Sequence, residues 1–484
     1  MSRDSGLDFL RGLAILGMVL SGTISRNDEL PGWLFHAQIS PPDFVFNPSF
    51  PGITWVDLVF PLFIFAMGMS VPFSLQKNID KGSQMGTIGR KIFFRALKLW
   101  FFAIMLGHLS LFHYPAIAGY WANLLAVLAF GGFFLAFLDF SKLSLSGKWW
   151  NTAGYLLLIL LCLIRARLFD LPFSLQNYDI IILVLANMAF WGGLIWLITR
   201  NNMLVRLGIL ALYFGIWLSR DIEGSWNNDL WNFLPLWWLA DQIPAFGNLL
   251  QSIGIENGKT IFYHPDYLKY LMIFLPGTIV GDLVIKHNRS EPIVPFNKSL
   301  LLGAAMILLI VGNLFGLYYR FLLLNLFVNL FLLTLIFISF IVKELGYINL
   351  YKKLVLFAIF WVLLGLVFEA WQGGIKKDPA TYSYFFLTTG FSIFVYLSFH
   401  LLHNKSRSVS WWRPVLSIGK NPMLAYVLVA YLILPVLGAL QLQNPLDHMH
   451  EIWKWAGVFR GLLLTTIMIF VTVFFVRKKL FWKT

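Results

Sequence analysis

The chain has 484 residues, of which 58% are hydrophobic and only 12% are charged. Soluble domains carry about 25% charged residues, so this composition and a mean hydropathy of +0.73 exclude a soluble globular protein. The net charge of +14 is explained by Lys and Arg in cytoplasmic loops. The alternation of basic and aromatic residues that suits nucleic-acid binding is missing. We therefore expect the lipid bilayer, and no nucleic acid, as a partner.

Apolar runs long enough to cross about 30 Å of hydrocarbon recur along the whole chain. They predict an all-α, polytopic transmembrane helical bundle of about fourteen helices, with both termini cytoplasmic because the loops on that side hold most of the Lys and Arg. No interval is long enough for a soluble domain, so residues 1–484 are expected to form a single domain. We place the spans at 7–24, 55–76, 92–111, 118–138, 150–168, 179–199, 204–219, 267–286, 299–318, 321–342, 354–372, 384–402, 414–438 and 457–476.

The first span carries two ionisable residues, Asp8 and Arg11, which are expensive at membrane depth. Their spacing of three places both side chains on one face of a helix, where they form a salt bridge. The pair has two interpretations. It either locks the helix against a neighbour near the cytoplasmic interface, or it takes part in function.

The polar loop 25–54 follows, and it contains His36. Histidine is the side chain whose ordinary pKa suits proton transfer near neutrality. Asp57 begins the next span, where a carboxylate is favoured by the helix dipole alone. Its functional alternatives are to orient His36 or to bind a cationic amine. His36 and Asp57 are our candidate catalytic residues.

The remaining polar features give weaker signals. The external loop 220–266 holds Trp226, Trp231, Trp237 and Trp238, which suit either sugar stacking or an interfacial aromatic belt.

The lone Cys162 excludes a disulfide within one chain, and the DHMH run at 447–450 is too weak a pattern to predict a metal. Neither a nucleophile elbow nor a P-loop is present, so any energy must come with the substrate.

Six blocks of the sequence, in order along the chain, resemble the heparan-α-glucosaminide N-acetyltransferase family. They are LDFLRGLAILGMVL at 7–20, GITWVDLVFPLFIFAMG at 52–68, FLPGTIVGDL at 274–283, ATYSYFFLTTG at 380–390, GKNPMLAYV at 419–427 and VRKKLFWKT at the end. The resemblance implies a membrane acyltransferase that takes acetyl from cytosolic acetyl-CoA, as a co-substrate, and delivers it to the amino group of a glucosamine-type sugar on the far side. In that family the loop after the first helix carries the essential histidine, which His36 matches.

Within this interpretation, His36 is either the general base or a carrier of the acetyl group. The basic residues Lys77, Arg90, Lys91 and Arg95 are expected to receive the CoA phosphates, although plain topology signalling explains each of them as well. Asn421, beside Pro422 at a helix interruption, is expected to line the passage of the pantetheine arm or to satisfy freed backbone groups. No metal is expected.

The chain also departs from the family at three places. Ser21 stands where the family commonly has Asn, the insertion QISPPDFVFNPSF follows His36, and YPAIAGYWANLLAV occupies 114–127. The family-like core covers 7–138, 267–286 and 352–484, and the helices in 150–220 and 298–345 are expected to be additional.

Two other classes of function stay open from the sequence. One is a multi-pass transporter of sugars or glycan fragments, and the other is an acyltransferase with a lipid-linked or O-linked acceptor. A homodimer is an open alternative to a monomer, and the inner membrane of a bacterium is the expected location.

Overall fold

The computed structural model describes residues 4–110, 119–142, 147–252, 263–287, 296–342, 349–403, 412–443 and 453–483. Within these ranges the chain is helical and forms no β-strand. Its helices are α1 Ser5–Thr23, α2 Trp55–Asp80, α3 Met85–Leu109, α4 Tyr120–Phe137, α5 Gly147–Leu168, α6 Ile180–Thr199, α7 Met203–Leu218, α8 Trp226–Asn232, α9 Pro235–Gln242, α10 Pro244–Ser252, α11 Pro265–Lys286, α12 Lys298–Tyr318, α13 Leu322–Phe340, α14 Asn349–Ala370, α15 Tyr382–His403, α16 Arg413–Lys420, α17 Pro422–Ala439 and α18 Ala456–Arg477.

Thirteen of the described helices are long and apolar enough to cross a membrane, which confirms an all-α polytopic bundle. The span that we predicted at 204–219 differs, because it forms α7, a helix of 16 residues. At 1.5 Å per residue such a helix is about 24 Å long, shorter than the roughly 30 Å of a typical hydrocarbon core.

Two hydrogen bonds fix the direction of α1 relative to α18. Thr23, at the end of α1, donates a hydrogen bond to the Gly461 carbonyl and accepts one from Arg460, both at the start of α18. The two helices therefore run antiparallel, and Ser5 and Arg477 lie on the same face. That this face is cytoplasmic is our prediction from the Lys and Arg counts.

The span predicted at 414–438 is corrected by the structure, which forms two helices there. The first, α16, ends at Lys420, and α17 begins at Pro422. Proline lacks a backbone N–H and disfavours helical geometry in the residue before it. Asn421 accordingly leaves the helical region, with φ −138° and ψ 55°.

The chain divides into two compact units, each drawn from distant parts of the sequence. The first comprises Met1–Phe73, Pro276–Tyr426 and Asn444–Lys478, and the second comprises Ser74–Leu275, Val427–Gln443 and Lys479–Thr484.

The first unit is built around α15, whose side chains are almost all buried. It packs against α14, α12 and α1. A second close contact joins α1 to α16, where Gly12 faces the Val415 carbonyl and Gly419 faces the Asp8 carbonyl. A Cβ atom at either glycine would collide with backbone, so the two helices can approach this closely only because both residues are glycine.

The second unit contains the C-terminal residues, which dock on the end of α4. The Asp139 N–H donates to the Phe481 carbonyl, and the Lys483 N–H donates to the Phe137 carbonyl, both at 2.8 Å. Trp482 is buried between these bonds against Phe130 and Phe137. We call residues 480–483 the C-terminal clasp.

Candidate functional site

The start of α2 fixes the position of Asp57. Thr54 precedes the helix and Asp57 is its third residue, the spacing of a capping box. One carboxylate oxygen, Oδ2, accepts hydrogen bonds from the Thr54 N–H at 2.9 Å and from the Ala37 N–H at 3.4 Å. Asp57 has no solvent exposure. Its orientation is therefore set by local backbone geometry.

The other carboxylate oxygen of Asp57 contacts His36. Oδ1 lies 2.9 Å from His36 Nδ1. The Gln38 N–H lies farther from the same nitrogen, at 3.4 Å. Because Oδ1 is nearer and has no hydrogen-bond partner of its own among the described residues, we assign the imidazole proton to Nδ1, facing Oδ1. In the neutral imidazole the lone pair is then on Nε2. The two residues that the sequence nominated as catalytic form a carboxylate and imidazole pair.

The second imidazole nitrogen of His36, Nε2, is buried and has no hydrogen-bond partner among the described residues. Leaving a buried polar atom without a partner costs about 1–3 kcal/mol. In proteins such an atom is completed by ordered water, by an ion, by a ligand or by a reacting group. The nitrogen that carries the lone pair is thus the one available to accept a proton.

The loop that carries His36 is held by buried hydrogen bonds. The Thr54 hydroxyl donates to the Phe35 carbonyl at 2.7 Å. The Gln38 side chain donates to the carbonyls of Phe50 and Gly52 at 2.9 and 3.1 Å. These bonds fix the residues on both sides of His36, so the position of the imidazole is set by the fold of its own loop.

A lysine and a tyrosine from the far part of the chain complete the site. Lys377 Nζ lies 3.8 Å from Asp57 Oδ1, the same oxygen that contacts the imidazole. The Tyr384 hydroxyl, on α15, donates to the Asp57 carbonyl at 2.8 Å. The loop with Lys377 is joined to the His36 loop by a bond from the Gly52 N–H to the Ile375 carbonyl.

Sequence reasoning missed Thr54, Lys377 and Tyr384. The pattern Thr-x-x-Asp at 54–57 is a capping signal and could have identified Thr54. No local pattern connects Lys377 or Tyr384 to Asp57, because those contacts join residues more than 300 positions apart.

Asp8 and Arg11 lie toward the start of α1, at the opposite end of that helix from the His36 loop. They form the expected pair, with 3.9 Å between Arg11 Nη1 and Asp8 Oδ1, and Asp8 is buried. Asp4 caps the same helix and lies beside two α15 side chains, Tyr396 and His400. The first unit therefore has ionisable groups at both ends of α1 and α15, and Asp8 and Arg11 are not part of the His36 site.

The other predicted site residues are dispersed. Ser21 donates to the Met18 carbonyl of its own helix and makes no hydrogen bond to His36 or Asp57. Asn421 is fully buried at the break between α16 and α17. The basic residues lie around the turn from α2 to α3, in the second unit, where Lys91 donates to Asn78 and Arg95 is half-buried. The remaining two, Lys77 and Arg90, are exposed.

Metal ligands are not gathered anywhere in the described part of the chain: no group of three or more His, Cys, Asp or Glu side chains there is arranged to hold an ion. The DHMH run lies outside the described residues. The expectation that the protein binds no metal stays a prediction.

Comparison with known proteins gives a match to a family model. Residues 3–243 match the model of a family described as a domain of unknown function, DUF5009. That stretch contains α1 to α9 and includes both His36 and Asp57. No curated protein matches the chain.

Proposed function

We propose that the protein is a membrane-embedded acetyltransferase that moves acetyl from acetyl-CoA to the amino group of a glucosamine-type sugar. The observation that carries the proposal is the pair formed by Asp57 and His36, with Nε2 buried and unpartnered. The resemblance of the six sequence blocks to the heparan-α-glucosaminide N-acetyltransferase family supplies the reaction. In this proposal the acceptor is on the external or periplasmic side of the membrane.

The reaction requires a base. The amine nitrogen of the sugar attacks the thioester carbonyl carbon, and its proton passes to His36 Nε2 as the C–N bond forms. The C–S bond then breaks, and the proton returns from Nε2 to the departing CoA sulfur. Asp57 holds the imidazole in the tautomer that this transfer needs. The products are the N-acetyl sugar and the free thiol.

Two features of the first unit support delivery of the two substrates from opposite faces. The His36 loop lies at the ends of α1 and α15 that are opposite to Asp4, Asp8 and His400. The basic residues Arg11 and Arg477, on α1 and α18, lie toward the same end as Asp8. An anionic CoA head is attracted to a basic surface, so in this proposal CoA approaches from that end.

The direct test uses purified protein in detergent with acetyl-labelled acetyl-CoA and glucosamine. We expect labelled N-acetylglucosamine, and we expect His36→Ala to lower the rate by about 10²- to 10⁴-fold, the usual size of a general-base contribution. His287→Ala is the matched control, because this imidazole lies just after the end of α11, close to Lys353, and should leave the rate unchanged. Assays with other amino sugars then define the acceptor.

Two results would contradict the proposal. One is an unchanged acetylation rate in His36→Ala. The other is uptake of labelled glucosamine into vesicles without acetylation, which would identify a transporter.

A further inference from the structure

The segment 226–252 of the second unit exposes an unusual number of large apolar side chains. It contains α8, α9 and α10, and its only ionisable residues are Asp229 and Asp241. Contiguous apolar surface of this kind marks a contact with a partner or with lipid. The side chains with 41–67% of their surface exposed are Trp226, Leu230, Phe233, Trp238, Ile243 and Leu249.

The helices of this segment are too short to cross the bilayer. They have 7, 8 and 9 residues, which gives lengths of about 10–14 Å. Two of them, α9 and α10, pack together around Ala240 and Leu250, with Trp237 and Phe246 at the edge of that cluster. The apolar side chains on the outside are therefore additional to those that the hairpin needs for its own packing.

The segment is tied to the end of α7 and to the ends of two candidate membrane-spanning helices, α6 and α11. Its first helix, α8, is bonded to the end of α7, because the side chain of Asn228 donates to the Arg220 carbonyl at 2.6 Å. Lys269, near the start of α11, lies 5.5 Å from the ring centroid of Trp231. Leu175, in the connection before α6, packs against the α9 and α10 cluster. These attachments place the segment at the level where the spans leave the hydrocarbon.

We infer that residues 226–252 lie in the bilayer surface, with the exposed apolar side chains inserted at the boundary between head groups and acyl chains. The partner is thus a lipid surface, next to lipid-contacting spans of the same unit. Tryptophan is enriched at this depth because its ring is apolar and its N–H is polar. With two carboxylates and no Lys or Arg, the segment binds by apolar insertion and does not depend on anionic lipid.

Site-directed spin labelling tests this placement in the full chain. Cys162 is the only cysteine, so Cys162→Ser provides a background for single labels at Trp238→Cys and Leu249→Cys. Glu223→Cys, in the exposed turn before α8, is the matched control. Each variant is reconstituted in phosphatidylethanolamine and phosphatidylglycerol vesicles, and its collisions with oxygen and with a water-soluble nickel chelate are measured.

At positions 238 and 249 we expect more collisions with oxygen than with the chelate, and at position 223 the reverse. The preference should persist in vesicles of phosphatidylcholine alone, since no basic residue is involved. Preferential collision with the chelate at 238 and 249 would overturn the inference. Protection from both reagents, with spin–spin broadening, would also overturn it and would indicate a second copy of the chain on this surface. Elution as a single peak in size-exclusion chromatography shows that each variant is folded.

Discussion

The two oxygens of Asp57 have different roles. Oδ2 holds the first turn of α2 through Thr54, and Oδ1 faces His36 and Lys377. The two interpretations that the sequence left open, a helix-start acid and an orienting carboxylate, are therefore both compatible with the geometry. A residue with both roles is difficult to replace, since any substitution changes the helix start together with the imidazole contact.

The contribution of Lys377 to stability can be tested directly. Because Asp57 is fully buried, the lysine supplies positive charge that compensates the carboxylate. The lysine is partly exposed and 3.8 Å away, so Lys377→Met should lower the free energy of unfolding by only about 1 kcal/mol. Lys377→Arg should retain part of the effect. The measurement is thermal unfolding in detergent, followed by tryptophan fluorescence.

Lys376→Met is the control for that experiment, because Lys376 is the preceding residue and has no ion pair with Asp57 in the structure. Equal destabilisation by the two substitutions would show that Lys377 contributes no specific compensation.

The extent to which the sequence predicts the site follows from how far apart its residues are. His36 and Asp57 flank one loop, and their chemistry is visible in the residue types alone. Lys377 and Tyr384 reach the site only through the packing of α15 and the loop before it. Contacts between residues so far apart depend on tertiary structure, which one sequence without relatives does not reveal.

Among the helices, the contact between α1 and α16 depends on two glycines. Gly12 and Gly419 each face a backbone carbonyl of the other helix. Since a carbonyl cannot move aside as a flexible side chain can, an added methyl group must push the helices apart. Overpacking of this kind costs about 1–3 kcal/mol.

We therefore expect Gly12→Ala to lower the midpoint of thermal unfolding in detergent. Gly22→Ala, on the same helix, is the matched control, because a Cβ atom there would meet nothing within 4 Å. The prediction fails if the two variants unfold at the same temperature.

Hydrophobic length predicted the spans well, and the places where the observed helices differ from the predicted spans have local causes. The stretch 414–438 is apolar enough to be taken as one span, yet Pro422 divides it. The sequence predicted an interruption beside Pro422, but it did not show that the segment before the proline forms a separate short helix. In α2 the chain continues through Pro61 and Pro72 without interruption.

For the whole molecule, the C-terminal clasp joins the end of the chain to its first third. Its ion pair lies outside the membrane-spanning helices and connects Lys483 with Asp139. Burial raises the pKa of Asp139, but hydrogen bonds from Lys483 and Ser141 lower it more, so the net pKa lies below the ordinary aspartate value.

A group whose folded-state pKa is depressed contributes stability above its unfolded pKa and loses it as the pH falls through the folded value. The native protein should therefore unfold at a higher temperature than Asp139→Asn near pH 7, and the difference should close below about pH 4. The effect is small because Lys483 is largely exposed.

Lys483→Met is the companion variant for that titration, since it removes the same ion pair from the other side. It should show the same pH dependence as Asp139→Asn. A difference that stays constant from pH 7 to pH 3 would mean that the ion pair does not cause it.

The first unit is built from three segments that lie far apart in the sequence, so it cannot be completed early in translation. His36 and Asp57 leave the ribosome early, whereas Lys377, Tyr384 and the α18 helix that binds Thr23 are translated in the last quarter of the chain. A nascent polypeptide that ends before Lys377 holds the imidazole and the carboxylate but neither the cation nor the tyrosine that complete their surroundings. The site can form fully only after nearly all of the helices have been inserted.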